Sequence, residues 1–203
     1  MTQVTTSPDG SVSASVTVPQ GVGPVVVRTP CTPSAGTVAM IRHADGTTAV
    51  LPKSVSTKEG SAQIQLVDNR RSFSDVDNNS WYSDGIQYAA SRELLKGVGG
   101  GRYAPMDTMD WAMLVTVLHR LESAPDASGG SFSDVAEGSW YADSVSWAPP
   151  ARIVQGVAPG TFAPHSPLTR ESLAVLLYRY AGHQGLDRTA QADLSNFGDS
   201  GSV

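Results

Sequence analysis

The sequence predicts an α+β chain in which a small antiparallel β module precedes repeated helix–loop–helix units. Three observations lead there. Residues 12–18 read Val-Ser-Ala-Ser-Val-Thr-Val, apolar at every second position, which is the period of a half-buried strand. From Phe73 onward the chain repeats itself 59 residues downstream, without a gap, for about 50 residues. Within the first copy Met109, Met113, Leu114, Val117, Leu118 and Leu121 recur at the 3.6-residue spacing of one helix face. With 203 residues, 40% of them hydrophobic, there is enough apolar material for a packed core.

The β module is assigned to residues 1–69. After Val12–Val18, the run Val25-Val26-Val27 is a second strand candidate. Thr37–His43 and Thr48–Leu51 flank Ala44-Asp45-Gly46-Thr47, whose Asp-Gly pair accommodates the positive φ angles of a tight hairpin. Gln63–Val67 closes the module, and Asp68–Ser72 joins it to the repeats.

Repeat 1 spans 73–123 and repeat 2 spans 132–182. A third copy begins at Phe197-Gly198-Asp199 and occupies 197–203. The 59-residue offset superposes Phe73-Ser74-Asp75-Val76 on Phe132-Ser133-Asp134-Val135 and Trp81-Tyr82 on Trp140-Tyr141. It also matches Gly97-Val98 with Gly156-Val157, Tyr103-Ala104-Pro105 with Phe162-Ala163-Pro164, and Arg120 with Arg179; about 17 positions are identical. Ile86, Ala89, Ala90 and Leu94 define a first helix, which Gly97–Gly101 cannot continue. A second helix is predicted from near Thr108. In repeat 2, Thr169 is the expected N-cap, and Leu173, Leu176, Leu177 and Tyr180 the expected buried stripe. Pro149-Pro150 falls inside the first helix of that copy, where proline costs about 3 kcal/mol, so that helix is predicted to end near Ala148. Ser123–Ser131 and Gly182–Asn196, rich in Ala, Gly, Ser and Asp, read as flexible linkers.

Composition sets several functions aside. Net charge is −5, and the 14 basic residues cluster no further than Arg70-Arg71, so there is no basic stripe for a nucleic acid. Apolar runs such as Met113-Leu114-Val115 are far shorter than the roughly 20 residues that span a bilayer. A single cysteine, Cys31, excludes an internal disulfide and a CxxC metal site. The start, Met1-Thr2-Gln3-Val4-Thr5, lacks the basic and apolar regions of a signal peptide. Together with a third copy of a few residues, this leads us to expect a truncated piece of a larger product.

No motif carries catalysis or a cofactor. Asp75-Val-Asp77-Asn-Asn79 opens like a calcium loop, but Ser80 stands where Gly is needed and Ile86 where a bidentate Glu is needed. Gly97-Val-Gly99-Gly-Gly101 lacks the Gly-Lys-Ser/Thr of a phosphate loop and reads as a helix C-cap and turn. His43, His119, His165 and His183 show no metal-ligand spacing, and His119 stands in the place of Tyr178 as an interchangeable helix residue. What remains are paired residues that open each unit, Asp75 with Asp134 and Trp81 with Trp140. Two readings are open for them: Trp as a stacking platform for sugar rings, or Trp as core with Asp capping the first helix. Phe73 and Phe132 are expected in the core.

The order Phe-Ser-Asp-Val, Trp-Tyr, Gly-Val, Phe-Ala-Pro, Leu-Thr-Arg over residues 73–181 resembles the S-layer homology repeat of bacterial cell-surface proteins. That resemblance implies a pseudo-threefold helical bundle with one helix of each unit at its axis, and a third repeat that is truncated here. It implies grooves that bind secondary cell-wall polysaccharide bearing pyruvylated amino sugars, an extracellular location, and no catalysis, metal or cofactor. The family's Thr-Arg-Ala-Glu element corresponds to Thr169-Arg170-Glu171-Ser172, with the acid shifted by one. An Arg at a helix start presents a planar fork to a carboxylate, and the local backbone dipoles add to it. The implied ligand contacts are Arg170, Thr169, Asp134, Trp140, Gly156, Asp75 and Trp81. Repeat 1 has Asp110-Trp111 in place of Thr169-Arg170, and an acid there is expected to repel an anion. The expected function is non-catalytic anchoring to anionic wall polysaccharide. The alternatives are the tail of a larger secreted hydrolase, and a structural module that self-associates without sugar.

Overall fold

Alternation and turn chemistry produce the sheet. The computed structural model describes residues 2–6, 12–18, 34–42, 46–52, 60–127 and 129–189, with positions 193 and 198. Strands β1 (Thr2–Thr6), β2 (Val12–Val18), β3 (Thr37–Arg42), β4 (Thr48–Leu51) and β5 (Gly60–Asp68) form one antiparallel sheet in the order β1-β2-β5-β3-β4. On β2 the expected alternation holds where side chains are described: Val12 and Ala14 are buried, Ser13 and Ser15 exposed. The hairpin lies where Asp-Gly places it, with Met40 opposite Val50 and Gly46 at φ 86°. β5, the longest strand, takes the centre and pairs on both sides, Ile64 facing Ala14 on β2 and Ile41 on β3. Sequence reading missed β1, a Thr-rich edge strand with one apolar residue. The run Val25-Val26-Val27, Cys31 and the third copy from Phe197, Gly198 apart, lie outside the described residues.

Among the described residues four helices follow: α1 (Ser83–Ser91), α2 (Trp111–Leu121), α3 (Ala142–Trp147) and α4 (Arg170–His183). The proline rule prevails, since α3 stops at Trp147 with Ala148 as its cap and is shorter than α1. α2 begins three residues later than predicted. Met109 lies outside it, while Ala112 and Val115, which the predicted stripe left out, are fully buried. α4 runs through Gly182, so the predicted second linker starts inside the helix. Among the described residues no helix is long and apolar enough to cross a membrane.

The chain divides into two compact units, Met1–Met109 with Met113–Asp126, and Asp110–Ala112 with Ala127–Val203. In the first, the sheet and α1 are joined directly. Arg92 donates to the carbonyls of Ala35 and Thr37 at 3.2 and 3.0 Å, and Asn69 Nδ2 donates to Ser91 O at 2.6 Å. Gln87 grips the backbone of Arg71 from both sides, accepting from its N–H at 3.1 Å and donating to its carbonyl at 2.6 Å. The connection between the sheet and α1 is thereby held at Asn69 and Arg71.

Candidate functional site

The residues shared by the two repeats make one local frame, built twice. The N–H of Ser74 donates to Gly101 O at 2.9 Å, and Ser133 to Gly160 O at 2.8 Å. The Asp75 carboxylate accepts from the N–H groups of Tyr103 and Ala104, both at 2.8 Å. Asp134 accepts from Phe162 and Ala163 at 2.9 and 2.7 Å. Ala104 and Ala163 sit at φ 59°, a strained turn that these charge-assisted bonds hold in place. The bonds from the Tyr103 and Phe162 N–H groups, above all, keep both carboxyls below the usual carboxylate range. For Asp75 the Arg102 guanidinium, 3.6 Å away, adds to this.

Of the two readings left open for these acids, the one in which they cap the first helices does not hold. The N-caps of α1 and α3 are Tyr82 and Tyr141, and neither end has a side-chain cap bond. The acids instead clamp the turn ahead of the second helices. Gly156 and Gly97 serve the same frame: at φ 84° and 81°, a Cβ would strike the carbonyls of Thr161 and Arg102 and the rings of Phe132 and Phe73. The N–H groups of Val157 and Val98 close that turn onto the same carbonyls at 2.9 and 3.0 Å. Arg120 donates to Leu94 O at 3.0 Å, and its counterpart Arg179 to Ile153 O at 3.5 Å.

Trp81 and Trp140 are not core. Trp81 is 93% exposed and Trp140 56%, each edge-on to the following tyrosine at 5.5 and 5.1 Å. Phe73 and Phe132 are half-buried, against Tyr103 and Phe162 respectively. The predicted cap is in place, since Thr169 Oγ1 accepts from the N–H of Ser172 at 3.1 Å. Arg170 is then the first residue of α4; it is exposed, and no hydrogen bond or ion pair holds its guanidinium among the described residues. Its fork is presented to solvent beside the free N–H groups of a capped helix start.

Repeat 1 differs at the equivalent positions. Trp111, half-buried, meets Phe162 edge-on with centroids 6.5 Å apart. Asp110 Oδ2 lies 3.1 Å from His165 Nδ1, whose Nε2 is 3.3 Å from the Tyr141 hydroxyl. The acid expected only to repel an anion is thus engaged by an imidazole. Sequence reading missed His165, because its partner is 55 residues away with no spacing signal. The one available clue was a difference between copies, His165 standing in the place of Met106. His119 is also corrected: it is buried, with Nε2 2.8 Å from Pro125 O, while its counterpart Tyr178 is exposed under the Arg188 guanidinium. Of the predicted stripe on α4 only Leu176 is buried, and Leu177 is 47% exposed.

A doubled helix–turn–helix frame with exposed aromatics and an unpaired arginine at a capped helix start defines a repeat-built surface module. Residues 72–110 and 131–174 match the S-layer homology domain. The chain is 32% identical over 119 residues to an amylopullulanase of Thermoanaerobacterium thermosulfurigenes, covering 58% of this chain and 6% of that enzyme. It is 33% identical over 102 residues to endo-1,4-beta-xylanase A of Thermoanaerobacterium saccharolyticum, covering 50% and 9%. It is 25% identical over 132 residues to the surface-layer 125 kDa protein of Lysinibacillus sphaericus, covering 64% and 11%. The chain therefore spans about a tenth or less of the length of these relatives. The S-layer homology domain is a non-catalytic cell-surface anchoring module, which places this chain's repeats at the cell surface.

Proposed function

We propose that the chain anchors its parent protein by binding an acidic secondary wall polysaccharide, with Arg170 as the principal ligand contact. The supporting observation is the unpaired, exposed guanidinium at a Thr169-capped helix start, suited to a bidentate grip on a pyruvyl carboxylate. Trp140 offers a stacking face in the same unit, and Trp81 offers one in repeat 1. Asp134, Asp75 and Gly156 contribute by holding the turns that aim the second helices. The test is a pull-down on purified cell wall, before and after chemical extraction of the polysaccharide. Binding that survives extraction unchanged argues against a sugar ligand.

The proposed domain division is a β module at 1–69, repeats at 73–123 and 132–182, and the start of a third unit at 197–203. In the family's pseudo-threefold arrangement that unit would cover the exposed face of α4 that carries Val175 and Leu177. If that face stays open, self-association through it is the expected consequence. Sedimentation at increasing concentration, with and without a complete third repeat, tests this. The enzyme relatives favour a second reading, in which these repeats are the tail of a polysaccharide-degrading enzyme. The full open reading frame decides between that and a structural surface-layer protein.

A further inference from the structure

The only adjacent pair of basic residues, Arg70-Arg71, is not used by the repeat frame, yet it is held in place. Gln87 fixes the backbone of Arg71 on both sides, and Asp68 holds the Arg70 guanidinium at 2.9 Å. Between this strap and the C-terminal end of α1 lies a groove of about 550 Å³. That is within the roughly 300–1,000 Å³ of small-molecule sites. Phe73 and Ala90 give it an apolar side, and Arg70, Arg71, Lys96 and Glu93 give it charge. Glu93 is the one carboxylate among these, 3.6 Å from Arg71 and 3.2 Å from Lys96, so the wall carries surplus positive charge. All three partners are about half exposed, which leaves the cations open to a second carboxylate.

The duplicate unit shows that folding does not need these charges. Repeat 2 keeps the frame but has Gly130, Arg152 and Gln155 where repeat 1 has Arg71, Glu93 and Lys96. On the other flank of the strap a groove of about 560 Å³ is lined by Ser34, Asn78, Ser83 and Gln87 together with Asp84 and the two arginines of the strap. We propose that the groove between Arg71, Lys96 and Phe73 binds an acidic sugar, its carboxylate on the two cations and its ring against Phe73 and Ala90. A pyranose ring presents C–H faces to an aromatic and hydroxyls to the polar flank, whereas a bare phosphate would use neither. This site stands independently of Arg170.

The test is a titration of the full 203-residue chain with a galacturonate tetramer, read by amide chemical shifts at Arg71, Ala90 and Lys96. Maltotetraose and inorganic phosphate are the comparison ligands. The expected result is saturable shifts with the uronate alone. The pair Arg71→Gln with Lys96→Gln should weaken affinity at least tenfold, and Glu93→Gln, which removes the competing carboxylate, should strengthen it severalfold. Arg170→Ala should leave these shifts unchanged, so that failure at either site is read separately. No shifts with uronate, equal shifts with maltotetraose or phosphate, or no gain from Glu93→Gln would overturn the assignment. Thermal melts of each variant separate lost binding from lost fold.

Discussion

α2 and α4 occupy the same place in two copies of one unit and have met different fates. α2 buries Leu114, Val115, Thr116, Leu118 and His119. Their counterparts on α4 are Leu173, Ala174, Val175, Leu177 and Tyr178, of which the last four are exposed. The two helix starts diverge in parallel: Trp111 is placed against Phe162, while Arg170 stands free in solvent. Behind both helices the frame is unchanged, with the same Asp clamp, the same glycine turn and the same left-handed alanine. Along the second helices duplication has preserved what sets the backbone and released what faces outward, while the exposed Trp81 and Trp140 are kept in both copies. The copies differ in function chiefly at the second-helix starts.

The frame should fail equally in both copies. Gly97→Ala and Gly156→Ala each combine a positive φ with a backbone collision, and each should cost about 3 kcal/mol in denaturant unfolding. A large difference between the two would break the claim of a common frame. The helices should then part company. Leu118→Ala opens a cavity and should cost about 3 kcal/mol, whereas Leu177→Ala at a half-exposed site should cost about 1 kcal/mol or less. Completing a third repeat should raise the Leu177→Ala cost toward the Leu118→Ala value.

Helix starts give a smaller contrast. Trp111→Arg loses the contact with Phe162 and should destabilise by about 2 kcal/mol, while Arg170→Ala should shift stability by less than about 0.5 kcal/mol. Rebuilding Thr-Arg at Asp110-Trp111 would thus add a binding fork at the expense of stability. The weakest effect is in acid. Asp75 and Asp134 have folded pKa values below the ordinary 3.8, so their stabilisation is complete above that value. It is lost as pH falls through the lowered folded values. Asp75→Asn and Asp134→Asn should each give a shallower acid limb in a pH series of melts.

The sequence announced the frame because its parts are chemically extreme. Glycine at positive φ, proline inside a helix, an Asp-Gly turn and strict alternation each have few structural solutions, and β2, the hairpin, the short α3 and the Thr169 cap all followed from them. The duplication showed which residues work together, but not how. Asp75 and Asp134 look like helix caps in one dimension, and only the fold brings them to N–H groups 28 and 29 residues away. β1 has no alternating apolar residues to reveal it. Periodicity along α4 gave a buried stripe because it reports which face is apolar, not whether a neighbour is there to cover it. The Asp110–His165–Tyr141 contacts join residues with no regular spacing at all.

The central claim rests on Arg170, and the most direct measurement is the affinity of Arg170→Ala for purified cell wall, taken beside its melting temperature. A bidentate bond to a carboxylate is worth roughly 1.5–3 kcal/mol, so binding should weaken by about ten- to a hundredfold with melting unchanged. Arg170→Lys, which keeps the charge and loses the fork, should fall between. Undiminished wall binding by a folded Arg170→Ala chain would contradict the account and leave Arg170 a solvated side chain.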